Sequence, residues 1–268
     1  MKHPLIALLS DFGEVDFFVA SVKGVITSIN PSARIIDITH QVSSYDILGG
    51  SFILFACYRF FPPGTVFLVV VDPGVGSSRK IILVETRDYY FIGPDNGVLS
   101  YVLDSEEVKE IRDVRSRKYF LKEMTRTFEA RDKMAPVAAW LSKGIPLEEF
   151  GPKIRTWIKL KCMKPQQREN TIEGSVVYVD KFGNIITNIP LKMVNQLPGK
   201  RGRRNISLFV KNREINSFVE NYSCGKKGEL FFLAGSLGLI EVAARECSAK
   251  EIVKVQVGDS VKLALREG

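Results

Sequence analysis

Short apolar runs alternate with helix-length segments through the first half of this chain, and that alternation restricts its fold more than any other feature. Residues 5–9 read as a buried strand. Residues 17–29 follow with Val19, Val22, Val25, Ile26 and Ile29 at helical spacing and stop at Asn30-Pro31. Residues 34–39 form a short β-branched run, 45–61 a long and mostly buried helix ended by Pro62-Pro63-Gly64, and 65–71 a third strand. A strand pairs in parallel with the next only through a crossover of about a dozen residues or more, so the pattern predicts β-α-β units and a mainly parallel sheet. Residues 80–85 and 89–92 read as two strands turning at Arg87-Asp88, and further helices are expected over 96–103 and 135–141.

The second half changes character. The stretch 161–172 is polar and aperiodic and reads as a linker. Beyond it, strand-like runs at 174–179, 184–189, 206–210, 230–233, 238–243 and 260–264 are separated by turn residues, the pattern of a small barrel or sandwich. The expected fold class is an α/β N-terminal domain over 1–160 with a mainly parallel sheet, plus a smaller C-terminal β-barrel domain over 173–268. At 268 residues, with 45% hydrophobic and 25% charged side chains, the chain can bury a core of its own. Disorder, collagen-like repeats and coiled coil are excluded.

Composition also narrows the chemistry. Cys57, Cys162, Cys224 and Cys247 stand singly, without the paired spacing of a zinc site or the density of a disulfide scaffold. His3 and His40 are too few for a His-rich metal centre. No metal and no cofactor is expected. The apolar run at 5–9 ends at Ser10-Asp11 and lacks the length and cleavage site of a signal peptide, and no segment offers the ~18 apolar residues of a spanning helix. A cytoplasmic protein without membrane contact is expected. The net charge of +8 hints at an anionic partner. The basic cluster Lys200-Arg201-Gly202-Arg203-Arg204 has no interleaved aromatics and reads as a solvated loop, which makes nucleic-acid binding a weak alternative.

In a parallel sheet, ligands bind beyond the carboxyl ends of the strands. Three such ends carry acids here: Ser10-Asp11-Phe12-Gly13, Asp37-Ile38-Thr39-His40, and the stretch from Asp72-Pro73-Gly74 to Arg79. A single Asp at such a place can be only a helix cap. Three at one edge predict an acidic cleft. Gly74-Val75-Gly76 begins like a dinucleotide fingerprint, but Arg79 takes the place of the third glycine, which argues against that ligand. Asp180-Lys181-Phe182-Gly183-Asn184 reads as a tight turn between strands.

Taken in order, these residues resemble those of the S-adenosylmethionine (SAM) hydroxide adenosyltransferases, SAM hydrolases related to the fluorinase and chlorinase enzymes. The N-terminal segments that carry the resemblance are Ser10-Asp11-Phe12-Gly13 with Asp16, Lys23-Gly24-Val25-Ile26, Asp37-Ile38-Thr39-His40 and Phe61-Pro62-Pro63-Gly64. Val71-Asp72-Pro73-Gly74-Val75-Gly76 with Arg79, Pro94-Asp95-Asn96-Gly97 and Thr127-Phe128-Glu129-Ala130-Arg131-Asp132 follow. Asp180 to Asn188 and Gly235-Ser236-Leu237-Gly238 carry it into the second half. The resemblance implies hydrolysis of SAM to adenosine and methionine by a homotrimer, each site lying between the first domain of one subunit and the second domain of its neighbour. It implies that Asp72 and Arg79 activate water, that Asp11 binds the ribose hydroxyls with Asp16 beyond it on the same loop, and that Tyr45 packs on the ribose. Tyr45 is equally readable as a core aromatic at a helix start. The resemblance further implies Phe182 on the adenine, Asn184 at its edge, and Asp180 and Ser236 at the amino and carboxylate ends of methionine.

Glu129 stands where the resembled segment, Thr-Phe-His-Gly-Arg-Asp, carries a His, and neither His of this chain falls there. Glu129 can bind the water instead, in which case two carboxylates titrate as a pair. It can also draw Arg79 away from Asp72, which would leave a non-catalytic SAM- or adenosine-binding or sensor protein. Gly235, where the resembled proteins often have Asn, and Ala244-Arg245-Glu246 near the adenine position are further departures that bear on the substrate. Asp72 would repel a halide, which sets halogenation aside.

Overall fold

The computed structural model describes residues 4–161, 164–197 and 205–266. The chain divides into two compact units, Met1–Lys161 and Cys162–Gly268. The basic cluster at 200–204 lies outside the described residues.

The first unit is built on a mostly parallel six-stranded sheet. Strands β1 (Leu5–Ser10), β2 (Arg34–Thr39), β3 (Val66–Val70), β4 (Ile81–Thr86), β5 (Tyr90–Pro94) and β6 (Val108–Asp113) lie in the order β2-β1-β3-β5-β4-β6. β2, β1, β3 and β5 run parallel, while β4 is antiparallel to both β5 and β6. Central strands β1 and β3 are apolar on both faces because helices cover both. Ile6, Leu8, Val66 and Leu68 pack with helices α1 (Phe18–Ile29) and α4 (Ala135–Ser142). Ala7, Leu9, Phe67 and Val69 point the other way, towards α2 (Ile47–Cys57) and the single turn α3 (Ser100–Leu103). Each of these side chains larger than alanine contributes about 1.5–3 kcal/mol on burial, which fixes the middle strands firmly.

Several boundaries differ from the sequence reading for identifiable reasons. The helix expected over 45–61 starts at Ile47, because Asp46 caps it by accepting from Gly49 N–H at 2.8 Å. Tyr45 precedes that cap and is 73% exposed, which corrects its reading as a core aromatic. The helix expected over 96–103 shrinks to one turn because Asn96 holds a loop instead: its Nδ2 donates to Val71 O at 2.8 Å and its Oδ1 accepts from Val98 N–H at 3.1 Å. Strand β6 was not expected, since its charged alternation (Val-Lys-Glu-Ile-Arg-Asp) hides an edge strand.

The second unit is an antiparallel, nearly closed barrel. Strands β7 (Gln166–Arg168), β8 (Thr171–Val179), β9 (Ile185–Pro190), β10 (Ile206–Val210), β11 (Arg213–Ile215), β12 (Leu230–Ala234), β13 (Leu239–Ala244) and β14 (Ser260–Leu265) give the order β11-β10-β14-β8-β9-β13-β12, with β7 on β8. The stretch read as a linker thus contributes β7 and the start of β8. The segment after β11 meets the other end strand, β12, around Phe218 and Phe232: Phe232 N–H donates to Ser217 O at 2.9 Å and Val219 N–H donates to Phe232 O at 3.0 Å. Ile172, Val176, Leu208, Phe232, Val242 and Leu263 fill the interior. Two short helices, α5 (Leu191–Val194) and α6 (Ala249–Val253), complete the unit. No helix among the described residues is long and apolar enough to cross a membrane.

Candidate active site

The loop after β3 folds back on itself. Val75 N–H donates to Asp72 O at 3.3 Å, Ser77 N–H to Gly74 O at 3.1 Å, and Arg79 N–H to Ser77 Oγ at 3.2 Å. Arg79 is thereby returned to the carboxylate at the loop's start. Its Nε donates to Asp72 Oδ1 at 2.8 Å and Oδ2 at 2.9 Å, and its Nη2 also donates to Oδ2. Both side chains are largely buried. Such a fork fixes the plane of a carboxylate as well as its charge. Gly76 in this loop has φ 79°, and a Cβ there would stand 2.5 Å from Arg126 O, so only glycine fits.

Glu129 reaches the same guanidinium from another segment. It precedes a π-helical turn, Ala130–Met134, that leads into α4. Arg79 Nη2 donates to Glu129 Oε2 at 2.5 Å, Gly76 N–H approaches the same oxygen at 3.5 Å, and Lys133 Nζ donates to Oε1. Burial pushes the Glu129 carboxyl up, but Lys133 and Arg79 outweigh it and hold the group below the usual carboxylate range. Arg79 keeps its grip on Asp72 while contacting Glu129, so it is shared between the acids rather than drawn off. The turn is anchored on its other side by Asp132, whose Oδ2 accepts from Thr125 N–H at 2.6 Å and Oγ1 at 2.9 Å. Phe12, Phe18 and Phe128 join this segment to the end of β1 and to α1, with ring centroids 5.2–5.7 Å apart.

Asp11 follows β1, held by its N–H to Val70 O at 3.3 Å, and its Oδ2 accepts from Tyr45 N–H at 2.9 Å. Tyr45 has φ 68°, a left-handed conformation that costs a non-glycine residue about 1–3 kcal/mol, and the bond to Asp11 offsets part of that cost. Beneath this loop, Ser10 Oγ lies 2.7 Å from His40 Nδ1, His40 Nε2 lies 3.0 Å from Asp37 Oδ1, and Lys23 Nζ donates to Asp37 Oδ2 at 2.5 Å. Asp37 was expected at the cleft edge with the other two acids. The structure corrects this: Asp37 is spent on Lys23 and His40, and the cleft is built by Asp11 and Asp72. A cavity of about 290 Å³ is lined by Asp11, Tyr45, Asp72, Val75, Phe128 and Glu129 among others. Asp16 is exposed and outside this lining.

The second unit holds a separate cavity of about 610 Å³, lined by Asp180, Phe182, Asn184, Tyr222, Ala244, Arg245, Glu246, Cys247 and Ser248. The tight turn expected at 180–184 is present and also forms the cavity wall. Asp180 Oδ1 accepts from the N–H groups of Phe182 and Asn184, both at 2.9 Å, and its Oδ2 accepts from Asn184 Nδ2 at 2.9 Å. Gly183 has φ 82°, and a Cβ there would overlap Ser248 Oγ. Phe182 is left 69% exposed at the rim. Tyr222 donates to buried Glu241 Oε2 at 2.8 Å. Burial and the nearby charge of Asp180 push the Glu241 carboxyl up, against the Tyr222 bond. A Cβ at Gly235 would overlap the Glu241 carboxylate, which explains a glycine there. Ser236 is exposed on the β12–β13 turn, outside the cavity lining.

Sequence reasoning missed Lys133, Tyr222 and Glu241. Only Lys133 carried a legible signal, its spacing of four from Glu129. Among the described residues, no group of three or more His, Cys, Asp or Glu side chains could hold a metal ion.

A buried carboxylate–guanidinium cluster, opening into a cavity at the carboxyl end of a parallel sheet, is the architecture of an enzyme acting on a small molecule. The comparisons with known proteins make the class specific. Residues 6–151 match the N-terminal domain model of the SAM hydroxide adenosyltransferases, and residues 174–262 match the C-terminal one. The chain belongs to the SAM hydroxide adenosyltransferase family. It is 30% identical to an (R)-S-adenosyl-L-methionine hydrolase of Methanocaldococcus jannaschii, over 97% of this chain and 95% of that one. It is 32% identical to the Salinispora tropica hydrolase of the same name, over 97% of each. A crystal structure of an uncharacterized conserved protein from Thermotoga maritima superposes with a TM-score of 0.91 at 39% identity, covering 97% of this chain and 99% of that one.

Proposed function

We propose that this chain hydrolyses SAM to adenosine and methionine. A water oxygen attacks C5′ of the ribose, the C5′–S bond breaks, and its electron pair stays on sulfur, leaving methionine as a neutral thioether. The sulfonium is already an activated leaving group, so the protein's work is to hold the water in line and to take its proton. The observation that carries this reading is the buried fork of Arg79 on Asp72 at one end of the cavity lined by Asp11 and Tyr45. Asp72 is the proton acceptor and Arg79 fixes its orientation. Asp11 accepts from the ribose hydroxyls, next to the Tyr45 ring. A carboxylate at the attack position also disfavours a halide nucleophile.

Phe182 stacks on the adenine. Asn184, whose amide nitrogen is used by Asp180, offers its carbonyl oxygen to the adenine amino group. Asp180 and exposed Ser236 receive the amino-acid end. We assign the complete site to a homotrimer in which one subunit's first domain meets a neighbour's second domain. The exposed Val15, Phe17, Tyr45 and Phe182 support this, since such apolar side chains gain from a covering partner. The free thiols Cys57, Cys224 and Cys247 suit the reducing cytoplasm.

Micromolar protein incubated with SAM for hours should release adenosine, detected by chromatography. No adenosine above the buffer control overturns the hydrolase reading. Calorimetric SAM binding without turnover would establish the sensor reading in its place. That second reading is disfavoured by the fork itself, which a Glu129 that captured Arg79 would break. For the trimer, mixing the Asp72→Asn variant, impaired in turnover, with the Phe182→Ala variant, impaired in binding, at a SAM concentration too low to saturate the latter should give more activity than the two measured separately, through hybrid sites, and no gain would count against shared sites.

A further inference from the structure

Each carboxylate oxygen of Glu129 meets a cation, Arg79 Nη2 at Oε2 and Lys133 Nζ at Oε1. Asp72, Arg79, Glu129 and Lys133 therefore form an alternating chain of two acids and two bases, with no net charge. Three of the four side chains are 5–8% exposed and Lys133 is 26% exposed, so the lysine closes the chain on its solvent side. A buried carboxylate without a partner is costly, and one cation placed between two carboxylates leaves one of them tending to protonate. Arg79 alone would be in that position. Asp11 adds a further acid across the same cavity. Arg131 and Asp132, on the same turn, are paired with each other and with Thr125, so they do not relieve it.

We propose that Lys133 is a positioning residue of this site: it holds Glu129 ionised and turned towards itself, which lets Arg79 keep its fork on Asp72 and leaves Asp72 as the proton acceptor for the attacking water. The part concerning water rests on the hydrolase reading, whereas the charge pairing does not. An ordinary surface pair four residues apart on a helix would have no effect beyond a small change in stability.

The test uses the full chain with Lys133→Met, with Lys133→Gln in case the first variant is unstable, and with Lys133→Arg. Carbon NMR of labelled glutamate, with the Glu129 signal assigned through Glu129→Gln, reads the carboxyl titration in the unliganded protein. The pH dependence of kcat with SAM is measured alongside. Removing the charge should raise the Glu129 midpoint and move the acid limb of kcat up by about one pH unit or more, and Lys133→Arg should restore both. A Glu129 midpoint and an acid limb that stay in place in the uncharged variants overturn the proposal. If the wild-type chain releases no adenosine, the hydrolase reading falls, and the Glu129 midpoint still decides whether Lys133 holds the carboxylate.

Discussion

The cavity of the first unit and the cavity of the second are built from opposite materials. The first ends in charged side chains brought together from distant segments, three of the four buried and each bound to the next. The second is walled in part by a five-residue turn whose carboxylate is satisfied within the turn itself, with an aromatic ring left in the open. Groups that must act on water need fixed geometry and a dry surrounding, which only long-range packing supplies. Groups that only need to recognise a flat ring can sit on a local turn and leave their faces exposed. In the proposed reaction, the first cavity governs the chemical step and the second governs affinity.

Substitutions can break this comparison. Asp72→Asn removes the proton acceptor while keeping the shape of the side chain. It should lower kcat by about 10²–10⁴-fold with SAM affinity little changed, read by steady-state kinetics and calorimetry. A large loss of affinity with kcat intact would reverse the roles of the two cavities. Arg79→Met leaves two buried carboxylates without their shared cation and should cost about 3–5 kcal/mol of stability in denaturant unfolding, in addition to activity. Phe182→Ala should weaken SAM binding by about 1–3 kcal/mol, the range for an aromatic under a base. Because the ring is exposed, the unfolding midpoint should stay where it is.

The smallest effect is in acid. Glu129 is held below the ordinary carboxylate value, as is Asp132, where Arg131 and Thr125 outweigh burial. The stability these groups contribute is complete above their unfolded values and is lost as pH falls through the lower folded ones. Unfolding followed from about pH 5 down to about pH 3 should show that loss. Glu129→Gln should flatten it, and an unchanged slope would mean the carboxylate is not held as described.

How far the sequence could be read follows the same division. β1 and β3 were plain because both faces of each are buried, so their apolar runs are unbroken. The turn at 180–184 was plain because its residues are contiguous. β6 was hidden because an edge strand tolerates Lys109, Glu110 and Arg112, and charged alternation resembles loop. The placement of Asp37 was misjudged because a carboxylate at a strand's end can face its neighbours as well as a cleft, and Lys23 is too remote in sequence to signal that it would take this one. The identity of Glu129 was visible as a departure from the family segment. Its pairing was not, since that depends on a π-helical turn, which leaves no pattern in the sequence, and on a loop some fifty residues away.

The barrel's seam at Phe218 and Phe232 has a consequence of its own. An open antiparallel sheet presents unpaired amides along its two outer strands, and another chain can add to them without limit. Here the segment just beyond β11 bonds to β12 through Ser217, Val219 and Phe232, so part of the outer row of amides on β12 is withdrawn from other molecules. The domain can then display the exposed Phe182 ring without offering that stretch of edge as well. A protein crowded among its own copies gains from this, because association stays confined to surfaces whose shape limits how many chains can join.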